Sequence, residues 1–394
     1  MPTFYFILFE RMNGVKTMSI QLIASTTFGL ESVVKRECQA LGFQNINTAD
    51  GKVEFSGDEK DIVKANLWLR CAGRVWVKMG TFTAVTFTEL FDRTKALPWG
   101  DWIPEDGKFT VVGKSVKSTL FSVPDCQAIV KKAIVEKLKE KYQTDWFDET
   151  GASYTIQVGI LKDVVTLAID SSGSGLHMRG YRANALDAPL KESIASAMVQ
   201  LSYWRKDRIL LDPFCGSGTI PIEAAMLARN IAPGLQRKFA SEEWGRIGKE
   251  LWKKARAEAY QAIDYDVTPE IYGSDIDPAA IALAKENAEK AGVDDCITFE
   301  VKPSQEITLQ GKYGVLITNP PYGERIGELK EVEEMYRSLG ATMKSDRTWS
   351  TYVITSMEYF ETLFGRQADK KRKLFNGRIK TDYYQFEGPR PPRS

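Results

Sequence analysis

From residue 208 onward, short apolar runs alternate with stretches of helical period. That alternation leaves few folds open besides a parallel sheet with helices on its faces. The apolar runs are 208–212, 271–276, 297–301, 313–318 and 351–355; the helical stretches are 220–228, 249–263, 278–291 and 331–343. The fold class read from this pattern is α/β, a doubly wound, Rossmann-like sheet. Phe375-Asn376-Gly377-Arg378 marks a tight turn between 373–375 and 378–386, so the sheet ends in an antiparallel hairpin. Ahead of the sheet, Asp187 and Pro189 open a helix whose apolar stripe is Ile194, Ala197, Met198, Leu201 and Trp204.

Ligands of such a sheet bind outside the carboxyl ends of its strands. The run 313–318 stops at Asn319-Pro320-Pro321-Tyr322, because two prolines cannot continue a ladder. The Asn319 side chain and the Pro320 carbonyl then offer two acceptors, and Tyr322 offers a ring face. Such a set suits a planar base with an exocyclic amine, whose two hydrogens need two acceptors. Asn319, Pro320 and Tyr322 are therefore the candidate catalytic residues. Taken alone, the tetrapeptide fits N6 of adenine, N4 of cytosine and N2 of guanine, and equally a plain proline-rich turn.

The first run leads into Asp212-Pro213-Phe214-Cys215-Gly216-Ser217-Gly218-Thr219. Glycines there let a ligand approach the backbone, and the following helix presents unpaired N–H groups. Pro221 stands where a dinucleotide fingerprint needs its third glycine, and the lysine of a P-loop is missing. An acid at this strand end repels a pyrophosphate but suits a cation such as S-adenosylmethionine, which carries a sulfonium and an ammonium. The second run ends at Asp275-Ile276-Asp277-Pro278, where Asp275 can bind ribose hydroxyls and Asp277 reads as a helix cap. The third run is followed by Lys302-Pro303-Ser304-Gln305, so Ser304 or Gln305 stands where an adenine-binding acid is common. The expected cofactor residues are Asp212, Pro213, Cys215, Gly216, Ser217, Gly218, Thr219, Asp275, Ile276, Ser304 and Asn319. They end the first four strands and so converge on one edge.

Residues 19–68 read as strand, helix, hairpin and helix, a ferredoxin-like order. Residues 69–170 carry strands at 75–79, 109–112, 154–160 and 164–169, and a helix at 126–142 with lysines outward. The whole chain has a formal net charge of only +1, so a nucleic-acid surface must come from local clustering. Residues 108–141 hold eight lysines against three acids, and residues 366–393 hold nine basic residues against three acids. Lys114, Lys117, Lys131 and Lys132 are candidate RNA contacts, though a solvated helix face reads the same way. Arg179 and Arg182 could pair with phosphate or equally tie two halves of the protein together.

Five cysteines with no Cys-x-x-Cys pair point to a reducing, cytoplasmic setting and away from a zinc site. A single histidine, His177, without a nucleophile motif, leaves little for Ser-His or Cys-His catalysis. The reaction is expected to need no metal. No apolar run approaches the ~20 residues of a membrane span. Residues 1–18 read as an upstream extension outside the fold.

Phe28-Gly29-Leu30-Glu31, Arg179-Gly180-Tyr181-Arg182, Ala188-Pro189-Leu190-Lys191-Glu192, Asn230-Ile231-Ala232-Pro233-Gly234 and Phe375-Asn376-Gly377 join the three strand-end motifs in a fixed order. In these the chain resembles the bacterial THUMP-containing class I RNA methyltransferases, in particular the guanine-N2 methyltransferases of large-subunit ribosomal RNA. The resemblance implies a ferredoxin-like domain at 19–68, a THUMP RNA-binding domain at 69–170 and a linker at 171–188. A methyltransferase domain at 189–388 and a tail at 389–394 complete it. It also implies S-adenosylmethionine as cofactor and large-subunit ribosomal RNA as partner. The rival readings are adenine-N6 methylation of DNA or RNA, methylation of a glutamine amide, and a non-catalytic RNA-binding assembly factor. Glu324 and Arg325 could add guanine selectivity or form a surface ion pair.

Overall fold

The computed structural model describes residues 19–182, 190–323, 329–377 and 379–392. The extension at 1–18, Asp187 and Pro189, Glu324 and Arg325, and Arg378 of the turn lie outside the described residues.

The first half builds one seven-stranded sheet. Its strands are β1 (Ile20–Thr26), β2 (Gln44–Ala49), β3 (Lys52–Gly57), β4 (Ala72–Thr83), β5 (Lys108–Val116), β6 (Ser153–Leu161) and β7 (Val164–Asp170), in the order β2-β3-β1-β4-β7-β6-β5. Its helices are α1 (Glu31–Ala40), α2 (Glu59–Trp68), α3 (Phe87–Lys95) and α4 (Val123–Tyr142). β4 makes the sheet continuous. Its first residues pair with β1, and from Trp76 to Thr83 it pairs with β7. The boundary expected at residues 68 and 69 therefore falls just ahead of a strand that both halves of this sheet share. Helix α3 was not expected, although its start is written in the sequence. Thr86 accepts from Glu89 N, and the Glu89 carboxylate accepts from Thr86 N, a capping box. β6 shows why the strands hold: Tyr154, Ile156, Val158 and Ile160 are buried and the residues between them are not.

The second half builds the other sheet. Its elements are α5 (Glu192–Leu201), β8 (Leu210–Asp212), α6 (Thr219–Ala228), α7 (Lys249–Gln261), β9 (Ile271–Asp275), α8 (Pro278–Ala291), β10 (Ile297–Val301), β11 (Val315–Thr318), α9 (Leu329–Ser345), β12 (Ser350–Thr355), α10 (Phe360–Phe364), β13 (Lys370–Asn376) and β14 (Ile379–Phe386). The order is β10-β9-β8-β11-β12-β14-β13. β8 to β12 run parallel, and β13 and β14 are antiparallel at one edge, which is the expected α/β architecture with its terminal hairpin. The strands are mostly buried on both faces, which is why they read as unbroken apolar runs. Between β10 and β11 the chain makes only a short turn at Ser304–Glu306 in place of a helix.

One continuous apolar core runs from β1 through α5 and α6 to β14. Polar ties reinforce it: Gly234 N donates to the Leu67 carbonyl at 3.0 Å, and Arg70 Nη2 to the Ile231 carbonyl at 2.8 Å. Among the described residues, no helix is long and apolar enough to cross a membrane.

Candidate methyl-transfer site

The carboxyl ends of β8, β9 and β11 meet at one edge because these strands are neighbours in the parallel sheet. Asp212 ends β8 and is 1% exposed. Its Oδ1 accepts from Thr318 Oγ1 at 2.6 Å and from Phe214 N at 3.2 Å. Burial pushes its carboxyl up to about 7, against the pull of those two donors, and the nearby Asp275 carboxylate adds to the push.

The loop after Asp212 turns on two glycines of positive φ, Gly216 at 51° and Gly218 at 81°. A side chain at Gly216 would project into open space, whereas at Gly218 it would crowd Phe299 and Ala284. So one glycine leaves a ligand room and the other lets α6 pack on α8. Pro213, Cys215, Ser217 and Thr219 are buried, and Phe214 and Gly216 are the partly exposed members of the loop. Phe214 was left out of the expected set although it sits inside the motif. The Cys215 thiol is held well above its ordinary range by burial and by two neighbouring carboxylates, so it stays a neutral packing group. Asn287 of α8, also not anticipated, donates to the Ser217 carbonyl at 3.0 Å and fixes the loop from below.

Asp275 ends β9. Its Oδ2 accepts from Gly216 N and its Oδ1 from Asp277 N, each at 3.0 Å. Each oxygen keeps a further lone pair, as ribose hydroxyls require. Asp277 caps α8 by accepting from Ala279 N at 2.8 Å, as its place before Pro278 suggests. Ile276 is 71% exposed, an apolar side chain standing beside the acid. Ser304 lies in the turn after β10, where its hydroxyl reaches Gln305 Oε1 at 3.4 Å.

Asn319 follows β11 directly. Its Oδ1 accepts from Tyr322 Oη at 2.6 Å, which orients the carboxamide and leaves the oxygen a second lone pair. Pro320 is buried, and Tyr322 is half-buried. Tyr336 of α9 donates to the Pro321 carbonyl at 2.7 Å and meets Thr355 Oγ1 at 2.9 Å, so the tetrapeptide is pinned from beneath by a fully buried phenol. Thr318 and Tyr336 carried no signal in the sequence, since ordinary core residues read the same.

The proposed RNA contacts divide. Lys114, Lys117, Lys131 and Lys132 are exposed, and none has an ion pair among the described residues. By contrast Lys95, Lys137, Lys139 and Lys141 all face acids. Arg179 must be corrected. It is 2% exposed and grips Glu223 of α6 through Nε and Nη2, both at 3.1 Å, while Nη2 also reaches the Arg70 carbonyl. A phosphate has no access to it. Arg182 is likewise turned inward, donating to Thr219 Oγ1 at 2.7 Å and lying 3.5 Å from Glu192. Arg179 thus ties the two halves together, whereas the partners of Arg182, namely Leu190, Thr219 and Glu192, all lie in the second half. The basic end of the chain is also partly spent: Arg366, Lys370 and Lys371 pair with acids, and Arg372 donates to the Gly29 carbonyl.

His177 lies on the segment leading to Arg179 and outside this edge. Burial and nearby cations lower its pKa to about 4, so it is neutral near pH 7. Among the described residues no cluster of three or more His, Cys, Asp or Glu is placed to hold a metal ion.

Three family models match the chain in succession: an RlmL ferredoxin-like domain over residues 21–76, a THUMP domain over 84–170 and an RMKL-like methyltransferase domain over 179–385. A Bacillus subtilis protein described as "Putative RNA methyltransferase YpsC" is 54% identical over 367 residues, covering 93% of this chain and 95% of its own. A Listeria monocytogenes structure, described as a "predicted N6-adenine-specific DNA methylase", is 51% identical. It superposes with a TM-score of 0.90, covering 94% of this chain and 97% of its own. The crystal structure of SMU.472, described as "a putative methyltransferase complexed with SAH", is 42% identical. Its TM-score is 0.90, over 95% of this chain and 99% of its own.

Proposed function

Because the chain belongs to the RMKL-like methyltransferase family, we propose that it methylates the N2 amine of a guanine in large-subunit ribosomal RNA, in the cytoplasm. It is an S-adenosylmethionine-dependent methyltransferase. The observation that carries the amine reading is the placement of Asn319 one residue beyond Thr318, whose hydroxyl reaches Asp212. A base-side acceptor and a cofactor-side acid thus stand at adjacent strand ends.

The residues at the edge fit the cofactor. Gly216 leaves open space, α6 offers its N-terminus, Asp275 has lone pairs to spare, and Ile276 presents an apolar face. When bound, S-adenosylmethionine supplies an electrophilic methyl group on a cationic sulfur. The protein's part is placement. The exocyclic amine is a weak nucleophile because its lone pair is delocalised into the ring. Asn319 Oδ1 and the Pro320 carbonyl accept its two hydrogens, which favours a tetrahedral nitrogen with its lone pair aimed outward. Tyr322 orients Asn319 and offers a ring for the unstacked base.

RNA as substrate is supported by the THUMP domain and by the exposed Lys114, Lys117, Lys131 and Lys132, which have no acid partner among the described residues. The sequence resemblance favours guanine. The test is nucleoside mass spectrometry of ribosomal RNA from a deletion strain, incubated with enzyme and labelled cofactor. Label in N2-methylguanosine is expected. The second reading is adenine N6, which the tetrapeptide accommodates and the Listeria relative's description names for that protein. Label in N6-methyladenosine, or in DNA alone, would favour it.

A further inference from the structure

We propose that Thr318 is a positioning residue of this reaction: its hydroxyl couples Asp212 on the cofactor side to Asn319 on the amine side. The inference rests on the reading just given, in which Asp212 serves the cofactor and Asn319 the base.

The ladder between β8 and β11 is short. It pairs Val315 with Leu210 and Leu316 with Leu211, and ends there. One residue further along β8 and two along β11, the side chains take over, with Thr318 Oγ1 donating to Asp212 Oδ1 at 2.6 Å. Thr318 is 0% exposed and Asp212 1%, so the bond is shielded from water. On its other side Thr318 closes the β11–β12 ladder opposite Val353. The residue is thus fixed by its backbone on one flank and by its hydroxyl on the other, and the next residue is Asn319. A shift of Thr318 is passed directly to the amine acceptor.

The same hydroxyl bears on the charge of Asp212. The groups that face this carboxylate are the Thr318 hydroxyl and Phe214 N–H, which favour the ionised form, and the Asp275 carboxylate, which opposes it. The Cys215 thiol also lies against it and is neutral. With the hydroxyl gone, one of the two donors is lost. Asp212 then holds its proton to higher pH, and the attraction for a cationic ligand fails earlier as pH falls. A threonine that merely fills space would do neither.

Thr318→Val keeps the shape and removes the hydroxyl, whereas Thr318→Ser keeps the hydroxyl. S-adenosylmethionine affinity is measured on the full chain without RNA from pH 5.5 to 8.5, alongside single-turnover methyl transfer at saturating cofactor and RNA. For Thr318→Val the acid limb of the affinity profile is expected to move up by about half a pH unit or more, and the single-turnover rate to fall about tenfold. Thr318→Ser should stay within about threefold of wild type on both. Added to Asp212→Asn, Thr318→Val should change the affinity profile no further. If Thr318→Val does not fold, Thr318→Ala against Thr318→Ser gives the same comparison. A wild-type acid limb and rate in the hydroxyl-free variant, or equal damage in both variants, overturns the coupling. Wild-type affinity in Asp212→Asn at every pH overturns instead the assignment of Asp212 to the cofactor.

Discussion

At the carboxyl edge of the second sheet the polar groups are buried or bonded to one another: Asp212 to Thr318, Asp275 to Gly216 and Asp277, Asn319 to Tyr322. In the first half, Lys114 and Lys117 on β5 and its loop, and Lys131 and Lys132 on α4, stand in solvent without an acid partner among the described residues. On the function proposed above, the difference follows from what each surface would handle. Methyl transfer needs a few atoms held to fractions of an ångström, so its side chains are fixed before the ligand arrives. A phosphate backbone is a line of like charges, and lysines on long stems meet it without a fixed geometry. Arg179 shows the division from the other side. It looks like a phosphate ligand in the sequence, yet it lies between the two halves as an internal strut.

Removing that strut should give the largest effect. Arg179→Met takes from the fully buried Glu223 its ion-pair partner and leaves it the Tyr181 hydroxyl at 3.4 Å, and loss of one partner of a buried pair costs about 3–5 kcal/mol. Chemical denaturation should show it, and RNA affinity per folded molecule should be unchanged. A stable variant with weakened RNA binding would return Arg179 to the surface class. Asn319→Ala comes next: loss of one fixed transition-state contact is worth roughly 10²–10³-fold in turnover. Cofactor affinity, read by calorimetry, should stay within a few-fold, and a variant with normal turnover would remove Asn319 from the site. Asp275→Ala should weaken S-adenosylhomocysteine by about 1.5–3 kcal/mol, the worth of hydrogen bonds to a charged group. Unchanged affinity would hand the ribose to another residue. The smallest effects belong to the lysines. Each single change among Lys114, Lys117, Lys131 and Lys132 should lower the salt dependence of RNA binding by about one unit of slope. A single lysine that abolished binding would show that this face, too, is a fixed site.

Much of this could be read in the chain order. The strand ends at Asp212, Asp275 and Asn319 were visible because each apolar run breaks against an acid, a glycine loop or paired prolines. Asp277 declared itself as a cap by preceding Pro278. Helix α3 was equally open to reading through Thr86 and Glu89, but the strand pattern around it drew attention away. The roles of Thr318, Tyr336 and Asn287 could not be read, because each depends on a partner 15 to 106 residues away.

Periodicity and turn chemistry are local, and they determined the doubly wound sheet, its terminal hairpin and the edge on which the motifs gather. Which arginine lies inside, which lysine stays unpaired and which carboxylate is buried depend on distant segments closing over them. Only the tertiary structure decided that Arg179 turns toward Glu223 and away from solvent, because its two partners, the Arg70 carbonyl and the Glu223 carboxylate, come from distant segments of the chain. It also decided that Asp212 sits near neutrality with Thr318 above it, because a carboxylate's charge answers to solvent and to donors brought by another strand.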